Sequence, residues 1–352
     1  MGRMWCWLLL VVTLPALAVD YPPVRPGRSV SLPADTGAHP EYRTEWWYVT
    51  GWLDDEAGVQ RGFQITFFRV RTGIGEQSPG RFSPAQLILA HAAVADAAQG
   101  RLLHAERSAR ASGLLAGAAT GRTHAWVGDW RLEERDGVFI AEVSAREFSY
   151  SLALEPSQPP MLNGRAGFSQ KAPDPRHASY YYSRPQLAVS GEVTVDGKRH
   201  VVTGRAWLDQ EWSSELMPEG ARGWDWVGLN LDDGGALMAF RMRDGEGRAL
   251  WSAGTLRTPG EPDRPLAPSE VSFEVLERWR SPRTGAEYPV HLRVRAGGRV
   301  LELTALMPDQ ELDSRRSTGA VYWEGAVRVI EAGREIGRGY LEMTGYLETI
   351  RM

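Results

Sequence analysis

The chain has 352 residues, a formal net charge of -4 and 43% hydrophobic residues, enough for two ordinary domains that each bury a core. Its cations are dispersed and almost all arginine, with Lys171 and Lys198 the only lysines, which speaks against a nucleic-acid partner. The seven histidines lack metal-ligand spacing, and glycine-rich phosphate loops and dinucleotide fingerprints are missing, so neither a metal nor a nucleotide cofactor is expected.

The N-terminal run MGRMWCWLLLVVTLPALA carries one basic residue, an apolar stretch from Met4 to Leu14, then Pro15 and the triplet Ala16-Leu17-Ala18. That layout predicts a secretory signal (1–18) cleaved after Ala18, and a periplasmic or secreted product. An uncleaved N-terminal anchor is the alternative. The single cysteine, Cys6, lies inside the signal, so the mature chain has no thiol and no disulfide. Residues 19–44 hold several prolines and no apolar period, and read as an extended leader across the surface.

From Glu45 onward the pattern is almost entirely period two. Segments such as GFQITFFRVR, AQLILAHAAVAD, GVFIAEVSA, RHVVTGRAWLD and GYLEMTGYL are strand candidates, divided by Asp-Gly, Gly-Gly and Ala-Gly turn signals. The Ala-rich stretch 107–120 is interrupted by Gly113 and Gly117 and is expected to be an irregular or partly helical crossover. One stretch occurs twice. EWWYVTGWLDD (45–55) lies over GWDWVGLNLDD (223–233) without a gap, with Trp46 on Trp224 and Tyr48 on Trp226, and TFFRVR (66–71) then matches MAFRMR (238–243). The chain is therefore read as all-β, in two similar halves that each open with an aromatic hairpin. The halves are placed at 45–215 and 216–352, with the boundary between Ser213 and Arg222.

Chemistry is expected in GRAWLDQEWSS. Period two puts Trp207, Asp209 and Glu211 on one face, and two carboxylates beside an indole raise each other's pKa if they are buried. On a solvated face the same acids would simply pair with arginines. The loop 167–187, rich in Pro, His and Tyr, has the character of a lid or ligand rim and brings Tyr181 and Tyr182. Ser169 in GFSQK lacks the context of a nucleophile elbow. His91, on an apolar strand, is expected to be a satisfied core or cavity histidine.

Taken together, EWWYVTGWL, GFSQKAP, YYYSRPQLAVSGEV, GRAWLDQEWSS, GWDWVGLNLDDG, STGAVYWEGAVRV and GRGYLEMTGY resemble the AttH-like and carotenoid 1,2-hydratase (hydroxyneurosporene synthase) family of double lipocalin-like proteins. The resemblance runs from about Glu45 to about Leu347. It implies two tandem lipocalin-like (calycin-type) antiparallel β-barrels, and it carries over Trp207, Asp209, Glu211 and Trp212 from one motif and Glu45, Trp46 and Trp47 from another. It also implies two functions. In the first, an exported protein binds an apolar ligand of lipid or isoprenoid type, with an ABC-type transport system as its partner. In the second, a cofactor-free hydratase or lyase adds water to an isoprenoid C=C bond by carboxylic acid catalysis; a hydrolase role is less favoured. Asp209 and Glu211 are the candidate catalytic pair, with Asp209 the proton donor and Glu211 mainly structural. Glu45, Trp47, His91, Tyr181, Tyr182, Trp207, Trp224 and Trp226 are the candidate ligand-binding set. Export puts a carotenoid substrate in doubt. Whether the Asp209 face looks into a cavity is what separates the two functions.

Overall fold

The computed structural model describes residues 19–77 and 83–350. The expected signal segment lies outside the described residues. Among those described, the chain forms two antiparallel sheets and no α-helix. The first sheet, of 13 strands, contains β1 (Thr44–Asp55), β2 (Gln60–Arg71), β3 (Gln86–Asp96), β4 (Leu102–Arg110), β5 (Ala116–Ala118), β6 (His124–Val127), β7 (Trp130–Arg135), β8 (Val138–Ser144), β9 (Phe148–Pro156), β10 (Met161–Leu162), β11 (Phe168–Gln170), β12 (Ala178–Val195) and β13 (Lys198–Glu215). The second, of 10 strands, contains β14 (Gly223–Leu231), β15 (Ala236–Arg243), β16 (Ala249–Arg257), β17 (Arg264–Leu266), β18 (Val271–Arg280), β19 (Glu287–Ala296), β20 (Arg299–Ala305), β21 (Glu311–Ser314), β22 (Ala320–Glu331) and β23 (Arg334–Met343).

The first sheet runs β4-β3-β2-β1-β13-β12-β9-β8-β7-β6-β5 and curls until β4 meets β5 and β6. The second runs β17-β16-β15-β14-β23-β22-β20-β19-β18, with β18 coming round against β15 and β16. These are the two tandem antiparallel β-barrels that the family resemblance implies. Tight turns close many of the hairpins. Asp136-Gly137, Asp196-Gly197, Gly297-Gly298 and Ala332-Gly333 all have positive φ at both positions, the backbone that two-residue hairpin loops demand.

Each barrel interior is filled by side chains. Trp47, Val49, Phe67, Trp130 and Leu208 belong to the first core, and Val227, Leu229, Tyr288, Trp323 and Leu341 to the second. A third cluster joins the outer faces of the barrels: Tyr48, Trp52, Tyr181 and Trp207 from the first half meet Trp226, Met238, Phe240 and Tyr340 from the second. The indole Nε1 of Trp52 donates across this seam to the carbonyl of Gly339 at 3.0 Å.

Two local expectations are corrected. Residues 107–120 have no helical part: β4 continues to Arg110, Gly113 turns the chain at φ 74°, and the Trp126 ring lies 2.6 Å from where a Cβ on Gly117 would sit. The leader is extended, but it is more than a surface strap. Val24, Val30 and Tyr42 pack under Phe168, Tyr180 and Trp212, and Ala38 reaches the first core.

Candidate active site at the seam

The repeat explains how the site is assembled. β1 lies between β2 and β13, and β14 lies between β15 and β23, so the two aromatic hairpins occupy equivalent positions. On β1 the odd residues Trp47 and Val49 enter the core, which turns Trp46 and Tyr48 to the seam; β14 does the same with Trp224 and Trp226. Between the two hairpins lies a cavity of about 820 Å³, walled by Trp46, Phe68, Leu89, Trp224, Phe240 and Met242. Five carboxylates line it, Asp209, Glu211, Glu215, Glu324 and Glu342, of which Glu215 alone is exposed.

Asp209 stands opposite Tyr48 on β13 and is only 2% exposed. Its Oδ1 accepts from Ser183 Oγ and Trp207 Nε1, both at 2.6 Å, and its Oδ2 accepts from the Tyr181 hydroxyl at 2.6 Å. The Tyr181 oxygen in turn accepts from Trp226 Nε1 at 3.0 Å, so both halves of the molecule hold this carboxyl in place. Burial pushes Asp209 up to about 7, with the three donors opposing the rise and the Glu211 charge adding to it. An acid poised there can hold or release a proton at neutral pH.

Glu211, two residues on, is tied down. Lys171 Nζ is 2.8 Å from Oε1, and Ser179 Oγ donates to the same oxygen. Lys171 also donates to Ser169 Oγ at 3.0 Å and lies over the rings of Phe240 and Tyr181 at 4.3 and 4.9 Å. The buried Ser169 thus serves as an acceptor for this lysine.

Glu324 on β22 and Glu342 on β23 are cross-strand partners, and they form the opposite wall. Burial pushes both up, Glu342 to about 8; the Glu342 charge raises Glu324 further, and the Asp209 and Glu211 charges raise Glu342. Glu342 accepts from Trp224 Nε1 at 3.0 Å. Glu324 Oε2 has no hydrogen-bond partner. His91, on β3, reaches the cavity as expected. Its Nδ1 is 2.5 Å from the Tyr322 hydroxyl and its Nε2 is 2.8 Å from Ser317 Oγ, which donates to Glu106 at 2.5 Å. Burial lowers this imidazole to about 3, so it is neutral at physiological pH.

Of the residues expected from the sequence, Asp209, Glu211, His91, Trp224 and Trp226 line the cavity, while Tyr181 and Trp207 stand directly behind Asp209. Glu45, Trp47 and Tyr182 are not brought to it. Strand parity sends them to the other face, where Trp47 fills the first core and Tyr182 donates to Gln210 Oε1 at 2.7 Å. Glu45 is fully buried there, accepting from His39 Nδ1 at 2.8 Å, Arg69 Nε at 3.0 Å and Gln210 Nε2 at 3.0 Å. Burial would raise its pKa, but the His39 hydrogen bonds and the Arg69 charge outweigh it and hold it low.

The sequence reading missed Glu324, Glu342 and Tyr322. Their signal was present: a lone Glu in each of the apolar strands AVYWEGAVRV and GYLEMTGYL, two residues from a tyrosine on the same face. Glu342 faces Trp226 as Asp209 faces Tyr48, so the repeat maps one acid onto the other.

The AttH-like family profile matches residues 23–346. Among solved structures, a protein described as AttH from Nitrosomonas europaea is 47% identical, with a TM-score of 0.86 over 92% of this chain and 99% of that one. Kievitone hydratase from Nectria haematococca superposes with a TM-score of 0.68 at 13% identity, over 93% and 96% of the two chains. CghA solved with Sch210972 gives 0.50 at 14% identity, over 88% and 90%. The last two show likeness of fold. Among curated protein sequences none matches the chain.

Proposed function

This chain belongs to the AttH-like family, and from that premise we propose that it is a cofactor-free hydratase or lyase acting on an unsaturated apolar ligand held at the seam. The observation that carries the reading is Asp209: a buried carboxyl, fixed by three donors, facing an apolar cavity and poised near neutrality. A ligand carrier needs no such group. Hydratase-like neighbours with the same double barrel lend support at the level of fold.

The step balances within the site. The O–H bond of protonated Asp209 breaks as the π pair of a C=C bond takes its proton, leaving a carbocation on the adjacent carbon and a carboxylate behind. Water supplies the electron pair that captures the cation, and the proton it sheds restores the acid. The rings of Tyr48, Trp224 and Trp226 line the cavity, and several carboxyl groups surround it. Both stabilise developing positive charge in a place with little water to screen it. Elimination of water is the same path reversed.

Incubating wild type and Asp209→Asn with an isoprenoid alkene in deuterium oxide, and following label and mass gain in the product, tests the reading. Deuterium at carbon together with gain of water is expected for wild type. Equal labelling by the variant would sink the proposal. A binding role without turnover, handing the ligand to an ABC-type transporter, is the alternative. It is favoured if the ligand copurifies and returns unchanged. In either case we propose that the protein works after export, in the periplasm or outside the cell.

A further inference from the structure

The proposed chemistry uses Asp209 and leaves the facing wall unexplained. Two buried polar atoms that line the cavity have no well-formed hydrogen bond: Glu324 Oε2 on that wall, and the Tyr48 hydroxyl on the strand beside Asp209. Glu324 and Tyr48 are each 3% exposed, and both line the cavity. Buried polar groups left unsatisfied are costly, so a pair of them lining one space marks where something polar belongs. The Tyr48 hydroxyl lies close enough to Glu324 to offset part of the rise that burial imposes on it, though the two do not form a well-aligned hydrogen bond. Glu342, directly across the ladder from Glu324, has Oε1 occupied by Trp224 and is itself part-exposed to the cavity.

The chemistry of this wall is specific. Two facing carboxyls that burial pushes up hold their protons at neutral pH, so each offers one donor and one acceptor. A phenolic hydroxyl beside them can serve either way. A hydroxyl both accepts and donates one hydrogen bond, and therefore matches such carboxyls better than a carboxylate or phosphate does, since an anion would meet no cation on this wall. The cationic side chains of the cavity lining stand elsewhere: Lys171 is paired with Glu211, Arg71 with Glu76, and Arg43 is exposed beside Tyr21.

We propose that Glu324, Glu342 and Tyr48 form a subsite that grips a hydroxyl oxygen of a neutral, otherwise apolar ligand, and so fixes which part of its chain faces Asp209. The substrate class becomes an unsaturated alcohol of low polarity. This rests on the seam cavity being the ligand site, as proposed above, and does not depend on turnover.

Binding of farnesol and of farnesene, measured by quenching of tryptophan fluorescence, tests it on the full chain. Wild type is expected to prefer the alcohol. Glu324→Met and Tyr48→Phe should each weaken farnesol by a few-fold to about tenfold, as one hydrogen bond is lost, and leave farnesene unchanged or tighter. Glu324→Gln, which keeps a donor and an acceptor, should retain most of the affinity. Tyr48→Phe removes a single oxygen and guards against a Glu324→Met protein that does not fold. Equal binding of alcohol and alkene by wild type, meaning that the subsite holds water only, overturns the proposal, as does an equal loss of both ligands in the variants. If neither probe binds, the cavity reading fails with it; if farnesene alone binds, only the subsite fails.

Discussion

Asp209 and Glu45 are both buried carboxylates in the first barrel, yet their surroundings give them opposite properties. Asp209 receives three neutral donors and no cation, so burial dominates; Glu45 receives Arg69 and His39, so pairing dominates. Asp209→Asn keeps the shape and removes the acid, and should lower turnover by ~10²- to 10⁴-fold while ligand binding survives. Since the donor is protonated below about 7, kcat/KM should fall as pH rises through that value. The stability effect has a definite sign. A carboxyl raised in the folded state binds its proton more tightly there than in the unfolded chain, so its stabilisation is present at acid pH and is lost as pH rises. Asp209 at about 7 and Glu342 at about 8 place that loss between roughly pH 4 and 8, and it should amount to a few kcal/mol. Thermal melts in a series of buffers should show it, with a shallower decline in Asp209→Asn. Glu45→Gln should behave differently. It leaves Arg69 buried without its carboxylate and is expected to cost about 3–5 kcal/mol in denaturant unfolding, with no selective effect on ligand affinity.

At the level of strands, the central ladders are built on close backbone approach. A Cβ on Gly339 would sit 2.3 Å from the carbonyl oxygen of Gly228, so Gly339→Ala must push β23 off β14 just where Trp52 docks. A loss of roughly 1–3 kcal/mol is expected in urea titration. Gly197→Asn is the control: its φ is 71°, nothing lies within 4 Å of its Cβ position, and asparagine tolerates that backbone. It should be neutral. The strands themselves were legible in the sequence because antiparallel strands with one core face alternate cleanly, and Asp196-Gly197 and its fellows announced the turns. Parity even predicted that Trp207, Asp209 and Glu211 share a face. It did not say what that face met, because period two fixes which residues lie together and leaves open which side is wet. Glu45 and Trp47 come into the expected set with the family motif and Tyr182 with the aromatic loop, and strand parity points all three the other way. Glu324 and Glu342 escaped because each is a lone acid in its strand, and only the pairing of β22 with β23 makes them a pair.

Across the whole molecule, the repeat does more than double a fold. The barrel interiors are packed with side chains, and the cavity lies outside both, in the seam that neither half encloses alone. Asp209 comes from one half and is held through Tyr181 by Trp226 of the other. The same geometry puts a second acid, Glu342, where the repeat places a counterpart of Asp209. Export of this assembly is a separate proposal. Intact-mass analysis of protein from a periplasmic fraction should find a chain starting at Val19, and a mass that includes Met1 to Ala18 would count against it.

The central claim is that the seam cavity keeps Asp209 as a neutral acid near physiological pH. Infrared difference spectra between wild type and Asp209→Asn, recorded across a pH series, observe that carboxyl directly. A protonated-carboxyl band assigned to Asp209 that persists to about pH 7 is the expected result. Its disappearance by about pH 4, the ordinary carboxylate range, would contradict the acid role.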